Sequence, residues 1–433
     1  METLKISPQL AVTIAGVKAR MPLGWASTSA TGPWGIVPEK YAQHLIKHAE
    51  AGAGFLTLAT AISGTRFKSG RGTPTGRWLA FNAPYWTKEK IYVFMAPVAA
   101  MHHIDEAVKV IKILKEKLPD DVPLIGSIMG DGANIKSWVE LAKIEEEEGV
   151  DLIEMNCACP TPLGREKLLK VYTREEITSQ YIGALLSDMP DLLKEIVASV
   201  TKAVKVGVGV KFSTEIGFPR IIQVASSVKE AGAKYLTWAT TASVCPPDIY
   251  NEGRSMFPYL EKNPSIASLH SPANIHIAMH YTARLSKFVP NIDLISSCGV
   301  HTPENIVQLI MLGANCVEVS SAVAMKGRAL FKNTVEFLNN YMKKLGYKTI
   351  EDFKGLGLKW IADNAQVDCK VGKVIAETDI ERCTGCGLCT DILCEAYYWE
   401  NKKVLVNPEL CGGCNLCVEI CPNKARRLKY VET

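Results

Sequence analysis

The chain has no stretch of about eighteen apolar residues, so no membrane-spanning helix is expected in its 433 residues. Residues Met1 to Leu10 lack a basic start followed by an apolar run, so no secretion signal is read there and a cytoplasmic location is expected. An excess of one charge is also missing. The 49 basic and 45 acidic residues leave a formal net charge of +4, interspersed along the chain, which gives nucleic acid no electrostatic footprint. No G-x-G-x-x-G follows an apolar run, since Gly207-Val208-Gly209 lies inside one and lacks the third glycine, and no glycine-rich segment ends in G-K-[ST]. A nicotinamide-binding fold is therefore not expected within this chain. Histidine is sparse at 8 residues, and His276 and His280, four apart, have no third ligand nearby in sequence, which argues against hydrolytic metal chemistry.

What the chain does have is cysteine. Eight of its 14 cysteines stand near the end in two runs, Cys383, Cys386, Cys389 and Cys394, then Cys411, Cys414, Cys417 and Cys421, the last followed by Pro422. Closely spaced thiolates grip corners of one cubic cluster, while the fourth of each run lies too far along to close the same cube and crosses to the other. Cys383, Cys386, Cys389 and Cys421 are thus expected to hold one 4Fe-4S cluster, and Cys411, Cys414, Cys417 and Cys394 a second. A zinc ribbon would use two C-x2-C pairs, and a disulfide scaffold would need a secreted chain. The first run departs from the usual spacing by having four residues before Cys394, and Glu395 stands where proline is usual.

Ahead of these runs, short Val/Ile/Leu-rich segments alternate with longer amphipathic ones. Strands are predicted over 22–27, 54–60, 122–128, 151–156, 207–212, 234–239, 293–297 and 316–320, with helices such as 105–118, 135–148, 191–204 and 303–312 between them. Eight such units close most naturally into a (β/α)8 TIM barrel, an α/β architecture for which an open doubly wound sheet is the alternative. The expected organisation is a barrel over 1–345, a connector over 346–378 and a small ferredoxin-like domain over 379–433. Residues Leu10 to Ala19 alternate through a turn at Gly16, as a hairpin closing the bottom of the barrel would. The long insertion 66–101, basic and aromatic, reads as an elaborated surface loop or an anion-binding lid.

A barrel places its chemistry at the carboxyl ends of its strands, with phosphate on the loops after the last two. Strand seven ends in Ser297-Cys298-Gly299-Val300 and strand eight in Ser320-Ser321-Ala322, which suit a phosphate cup or two ordinary serine-capped turns. Strand four ends in Asn156-Cys157-Ala158-Cys159-Pro160. A thiol there can give or take a proton, or can simply be buried. Strand five ends in Lys211-Phe212, and a lysine directed inward is costly unless it meets an anionic partner.

Taken together, these residues resemble the dihydroorotate dehydrogenase-like flavin barrels. The order of barrel first and two clusters after looks like the catalytic subunit of the bacterial two-subunit dihydropyrimidine dehydrogenases. The likeness rests on the hairpin Val12 to Arg20, Gly24-Trp25-Ala26-Ser27, Gly126-Ser127-Ile128-Met129, Asn156-x-x-Cys159-Pro160, Lys211, Cys298-Gly299-Val300 and Ser320-Ser321-Ala322. It implies an oxidoreductase acting on a carbon-carbon bond beside a carbonyl. Bound FMN would exchange hydride with a conjugated carbonyl or pyrimidine-like substrate, with Cys159 handling the proton and Asn156 orienting the substrate. Flavin contacts would come from Ala26, Ser27, Lys211, Gly299, Ser320 and Ser321, and substrate contacts from Asn134, Asn156, Thr240 and Thr241. Electrons would leave through the two 4Fe-4S clusters to ferredoxin or to a separate flavin/NAD-binding subunit, in a homo- or hetero-oligomer.

Several positions depart from that pattern. Ala59 replaces a flavin-contacting lysine, Thr240-Thr241 an Asn-Thr pair, and Ser268-Leu269-His270-Ser271-Pro272 a glycine-rich loop. Losing an amide that both donates and accepts argues for a ligand other than uracil or thymine. It also leaves open an electron-transfer or assembly subunit whose barrel is catalytically altered. Cys245 reads either as a second pocket thiol or as a packed loop cysteine.

Overall fold

The computed structural model describes residues 4–28, 37–63, 78–82, 90–94, 102–158, 186–187, 189–214, 216–238, 242–243, 247–254, 267–362, 374–392 and 394–431. The chain divides into two compact units, Met1–Trp360 and Ile361–Thr433.

The first unit is a closed (β/α)8 barrel. Its strands are β1 (Leu23–Trp25), β2 (Leu56–Thr57), β3 (Leu124–Met129), β4 (Leu152–Cys157), β5 (Gly207–Phe212), β6 (Tyr235–Trp238), β7 (Asp293–Ser296) and β8 (Cys316–Val319). Each pairs in parallel with the next, and β8 returns to β1 through Val317↔Leu23 and Val319↔Trp25, which closes the ring. Eight helices follow the strands: α1 (Pro38–Glu50), α2 (Ile104–Lys117), α3 (Ile135–Glu147), α4 (Pro190–Ala203), α5 (Arg220–Glu230), α6 (Ile275–Phe288), α7 (Pro303–Met311) and α8 (Ala329–Leu345). Their starts are written locally. Pro38, Pro190 and Pro303 occupy the first helical turn, where the missing N–H costs nothing, and Thr302 and Asn305 cap α7 reciprocally. Each helix then buries one stripe, as α4 does with Leu193, Ile196, Val197 and Val200.

The expected hairpin forms from Val12–Ile14 and Val17–Ala19, and it is tied to the amino ends of the last two strands. Asp293 Oδ2 accepts the Ala15 N–H at 2.7 Å, Asp293 Oδ1 accepts from Asn315 Nδ2 at 2.8 Å, and Asn315 Nδ2 also reaches Thr13 O at 3.3 Å. The glycines of Gly207-Val208-Gly209 serve packing: a Cβ on Gly209 would come within 2.2 Å of the Tyr235 ring, so only glycine lets that ring lie across β5.

Two expectations change. The second strand is shorter than 54–60 because the Ala59 N–H is taken by the Tyr41 hydroxyl at 2.9 Å instead of by a neighbouring strand. The insertion is not an irregular loop throughout. Trp78–Asn82 and Lys90–Phe94 pair antiparallel, and Lys90–Phe94 pairs in turn with Ala267–His270, which pairs with Ala242–Ser243. Aromatic and β-branched residues favour such pairing, a signal that the charges and glycines of this segment masked. After α8, Gly346 ends the helix in the left-handed conformation, and Ile350 and Phe353 are fully buried in the barrel unit's core. Residues 346–360, the first part of the expected connector, therefore lie within the first compact unit.

In the second unit Val374–Thr378 pairs antiparallel with Arg426–Tyr430, and Tyr397–Glu400 with Lys403–Val406. Its buried apolar cluster is small, centred on Ala376, Ala396 and Cys411. No helix among the described residues is long and apolar enough to cross a membrane.

Candidate active site and cluster-binding loops

Strand register decides which side chains share the mouth of the barrel. Asn156 of β4 stands beside Lys211 of β5, and Lys211 beside Thr237 of β6. Alternation along β4 sends Glu154 and Asn156 to one face and Cys157 to the other. Asn156 is buried. Its Nδ2 donates to Thr60 Oγ1 at 2.7 Å, and its Oδ1 accepts the Ala158 N–H at 3.2 Å. Thr60 Oγ1 lies 3.0 Å from Ser127 Oγ, to which Ser27 Oγ donates at 3.2 Å. Residues in or just beyond β1 to β4 thus form one hydrogen-bonded patch that holds Asn156 in place.

A charged layer adjoins this patch. Lys211 Nζ is 3.7 Å from Glu154 Oε1 and 3.7 Å from Glu318 Oε1, and the three side chains are 7%, 1% and 0% exposed. At an effective dielectric near 20 each attraction is worth about 4 kcal/mol. Desolvation outweighs it for both carboxyls. Burial raises Glu154 to about 7, with Lys211 opposing and Glu318 adding, and burial raises Glu318 as well. The Glu154 carboxyl therefore keeps its proton up to about 7.

The loop after β7 approaches the start of α6 closely. Gly299 has φ +70°, and a Cβ there would fall 2.0 Å from the Ile275 backbone nitrogen. Burial pushes the Cys298 thiol up to about 12, and burial with nearby Glu154 pushes the Cys157 thiol far above its ordinary range. Both stay protonated. His270, at the end of Ala267–His270, is brought down to about 3 by burial and by His301 and Lys211, so it is a neutral imidazole at this mouth.

The two cysteine runs adopt the same backbone device. Left-handed residues flank the middle cysteine in both, Gly385 and Gly387 around Cys386, and Gly413 and Asn415 around Cys414. Cys383, Cys386, Cys389 and Cys421 line one cavity, with Val404, Ala425 and Arg426 in its wall. The Ala425 N–H donates to Cys421 Sγ and the Ala376 N–H to Cys411 Sγ, each at 3.3 Å. The eight thiols of the runs are free. Among the described residues no three His, Cys, Asp or Glu side chains converge as they would on a single ion. Thiolates that hold a cube reach its separate corners instead.

The comparisons divide along the same line. The family model for dihydrouridine synthase (Dus) matches residues 128–238, and that for the 4Fe-4S binding domain matches residues 404–427. The NAD-dependent dihydropyrimidine dehydrogenase subunit PreA of Escherichia coli (strain K12) is 26% identical over 292 residues, 67% of this chain and 66% of that protein. The dihydroorotate dehydrogenase B (NAD(+)) catalytic subunit of Thermoplasma acidophilum is 27% identical over 256 residues, 59% of this chain and 74% of that one. A putative dihydroorotate dehydrogenase A (fumarate) of Aeropyrum pernix is 24% identical over 349 residues, 80% of this chain and 97% of that one. The chain carries a dihydroorotate dehydrogenase-like barrel and a C-terminal 4Fe-4S motif. The match spans just under two thirds of the PreA subunit's length.

Within the dihydroorotate dehydrogenase-like barrel, those predicted positions that are described fall at one end. Ala26 is buried and its N–H donates to Val319 O at 3.0 Å, which ties β1 to β8 beside Ser27. Gly299 follows β7, Ser320 and Ser321 open the short helix after β8, and Asn134 precedes α3, its carbonyl accepting from Ser137 Oγ at 2.8 Å. Cys159, Thr240, Thr241 and Cys245 lie outside the described residues. Ala59 is buried and supplies no cation. Glu154, Glu318, His270 and His301 were missed from sequence. A charged residue inside an apolar strand, as in Val317-Glu318-Val319, was the available signal.

The residues present fit both implied groups. Hydroxyls, an amide and a buried ammonium face the mouth for a flavin, and the Gly299 turn leaves backbone bare of side chain beside them. In the second unit, repeated left-handed loops, N–H donors to sulfur and a buried guanidinium suit anionic clusters.

Proposed function

We propose that the chain is an iron-sulfur flavoprotein that reduces or oxidises a carbon-carbon bond adjacent to a carbonyl, in the manner of a dihydropyrimidine dehydrogenase. The observation that carries this reading is the register of β4 on β5, which sets Asn156 and Lys211 side by side. Those are the positions to which the resemblance assigns substrate and flavin. FMN, when bound, would supply hydride exchange with carbon and single-electron exchange with iron-sulfur clusters. Lys211 would hold the polar edge of its ring, Ala26, Ser27 and Gly299 would line it, and Ser320 and Ser321 would take its phosphate. Asn156, braced by Thr60, would orient the substrate carbonyl, with Asn134, Thr240 and Thr241 completing the pocket.

Cys159 would give or take the proton at the neighbouring carbon. The thiols of Cys157 and Cys298 are poor rivals, because burial keeps them protonated. Electrons would pass through one cluster on Cys383, Cys386, Cys389 and Cys421 and another on Cys411, Cys414, Cys417 and Cys394. The outlet would be ferredoxin or a separate flavin/NAD-binding subunit, in a cytoplasmic oligomer. A second reading, an electron-transfer or assembly subunit, draws on buried Ala59 where the resemblance expects a lysine.

Purification without oxygen, followed by flavin, iron and sulfide analysis, separates the two readings. The first expects stoichiometric FMN that uracil, thymine or another conjugated carbonyl compound reoxidises; iron and sulfide without flavin would leave only the second. Cys159→Ala should lower turnover at least a hundredfold, the low end of a lost acid-base contribution, with both chromophores retained. Turnover at the wild-type rate would move the proton role to another group.

A further inference from the structure

Alternation along the strand Arg426–Tyr430 separates two neighbouring arginines. Arg427 is exposed and pairs with Glu377 at 2.7 Å, an ordinary surface ion pair. Arg426 turns the other way and is only 6% exposed. Its Nη2 donates to Val404 O at 3.1 Å, and the short helix Leu416–Glu419, which carries Cys417, packs against this strand with the guanidinium close enough to favour the Cys417 thiolate. It stands in the wall of the cavity lined by Cys383, Cys386, Cys389 and Cys421. Among the described residues no carboxylate lies within ion-pair distance of it.

A guanidinium stays charged at any pH the protein meets, and burying it without an anion is costly. Thiolates are the anions within reach. Arg426 lies beside the helix that carries a cysteine assigned to one cluster and borders the cavity assigned to the other. Lys403, by contrast, donates to the carbonyl of Cys383, one of the cysteines lining that cavity.

We propose that Arg426 is the shared counter-cation of two clusters, a single buried charge that holds both reduction potentials up. The inference rests on the two-cluster reading above. Reduction adds one negative charge to a cluster that is already anionic, and a fixed positive charge in a poorly screened interior favours that reduced state. Arg426 takes no part in the chemistry at carbon; it sets how readily electrons leave the barrel.

The test is an oxygen-free redox titration of the full-length holoprotein followed by electron paramagnetic resonance, with iron and sulfide measured first. In Arg426→Gln the midpoints of both clusters should fall, while Arg426→Lys should stay near wild type and Lys403→Met should lower only the cluster on Cys383, Cys386, Cys389 and Cys421. Unmoved midpoints in Arg426→Gln at wild-type iron content, or movement of one cluster alone, would overturn the proposal. If Arg426→Gln loses its clusters, retention in Arg426→Lys supports the need for charge, and loss in both assigns Arg426 a packing role and overturns it. Iron for a single cluster in the wild-type chain would instead refute the two-cluster reading, before any titration begins.

Discussion

The ammonium of Lys211 can balance one of the carboxylates beside it, and the other keeps a proton that free glutamate would lose. Burial raises Glu154 to about 7 from an ordinary 4.5. Between those values the folded barrel holds a proton that the unfolded chain has released. This contribution to stability is complete below about 4.5, falls as pH rises and is gone above about 7, with a slope of at most about 1.4 kcal/mol per pH unit. Glu154→Gln removes this titration and leaves Glu318 raised by its own burial, so the slope should shrink in denaturant unfolding followed by far-ultraviolet circular dichroism. An unchanged slope would show that Glu154 does not hold this proton. Lys211 was legible because a lysine ending an apolar strand is conspicuous. Its partners were not, because Glu154 and Glu318 stand 164 positions apart and meet only when β4 and β8 enter one ring.

At the scale of elements, the loop after β7 and the start of α6 are fitted to each other. Gly299 combines a left-handed backbone with an approach to Ile275 that admits no side chain. Gly299→Ala should cost about 1–3 kcal/mol, from strain and displaced backbone, and should lower the flavin-to-protein ratio of the purified chain. Normal stability with full flavin content would show that the turn can shift without consequence. The bottom hairpin was legible from its alternation and from Gly16, whereas its anchoring by Asp293 and Asn315 was not. The pairing of Lys90–Phe94 with Ala267–His270 was equally hidden, since it joins segments about 175 residues apart in sequence. That pairing also carries His270 towards Lys211, a neutral imidazole where the sequence suggested only a departed glycine loop.

At the scale of the whole molecule, the two units differ in what holds them together. The barrel unit buries a large apolar core, with Trp138, Trp238, Phe331 and Phe353 fully enclosed. Among the described residues the smaller unit buries only a small apolar cluster, Ala376, Ala396 and Cys411 with Val404 and Ala425, little to hold a unit of this size without a metal staple. Oxidative destruction of the clusters with a chelator present should therefore unfold residues 361–433 and spare the barrel. Limited proteolysis with mass spectrometry should then yield a resistant fragment ending near Trp360. Resistance of the cysteine-rich unit after complete iron loss would contradict this.

The sequence by itself determined the eight strand-helix units, the carboxyl-end positions of Asn156, Lys211, Gly299 and Ser320, and the two cysteine runs, because strand period, helix caps and ligand spacing are local properties. Tertiary structure alone decided that Asn156 neighbours Lys211, that two buried glutamates share the charge of that lysine, and that Arg426 turns towards the cysteines while Arg427 faces water. Those relations depend on register and ring closure, where residues far apart in the chain trade solvent for one another.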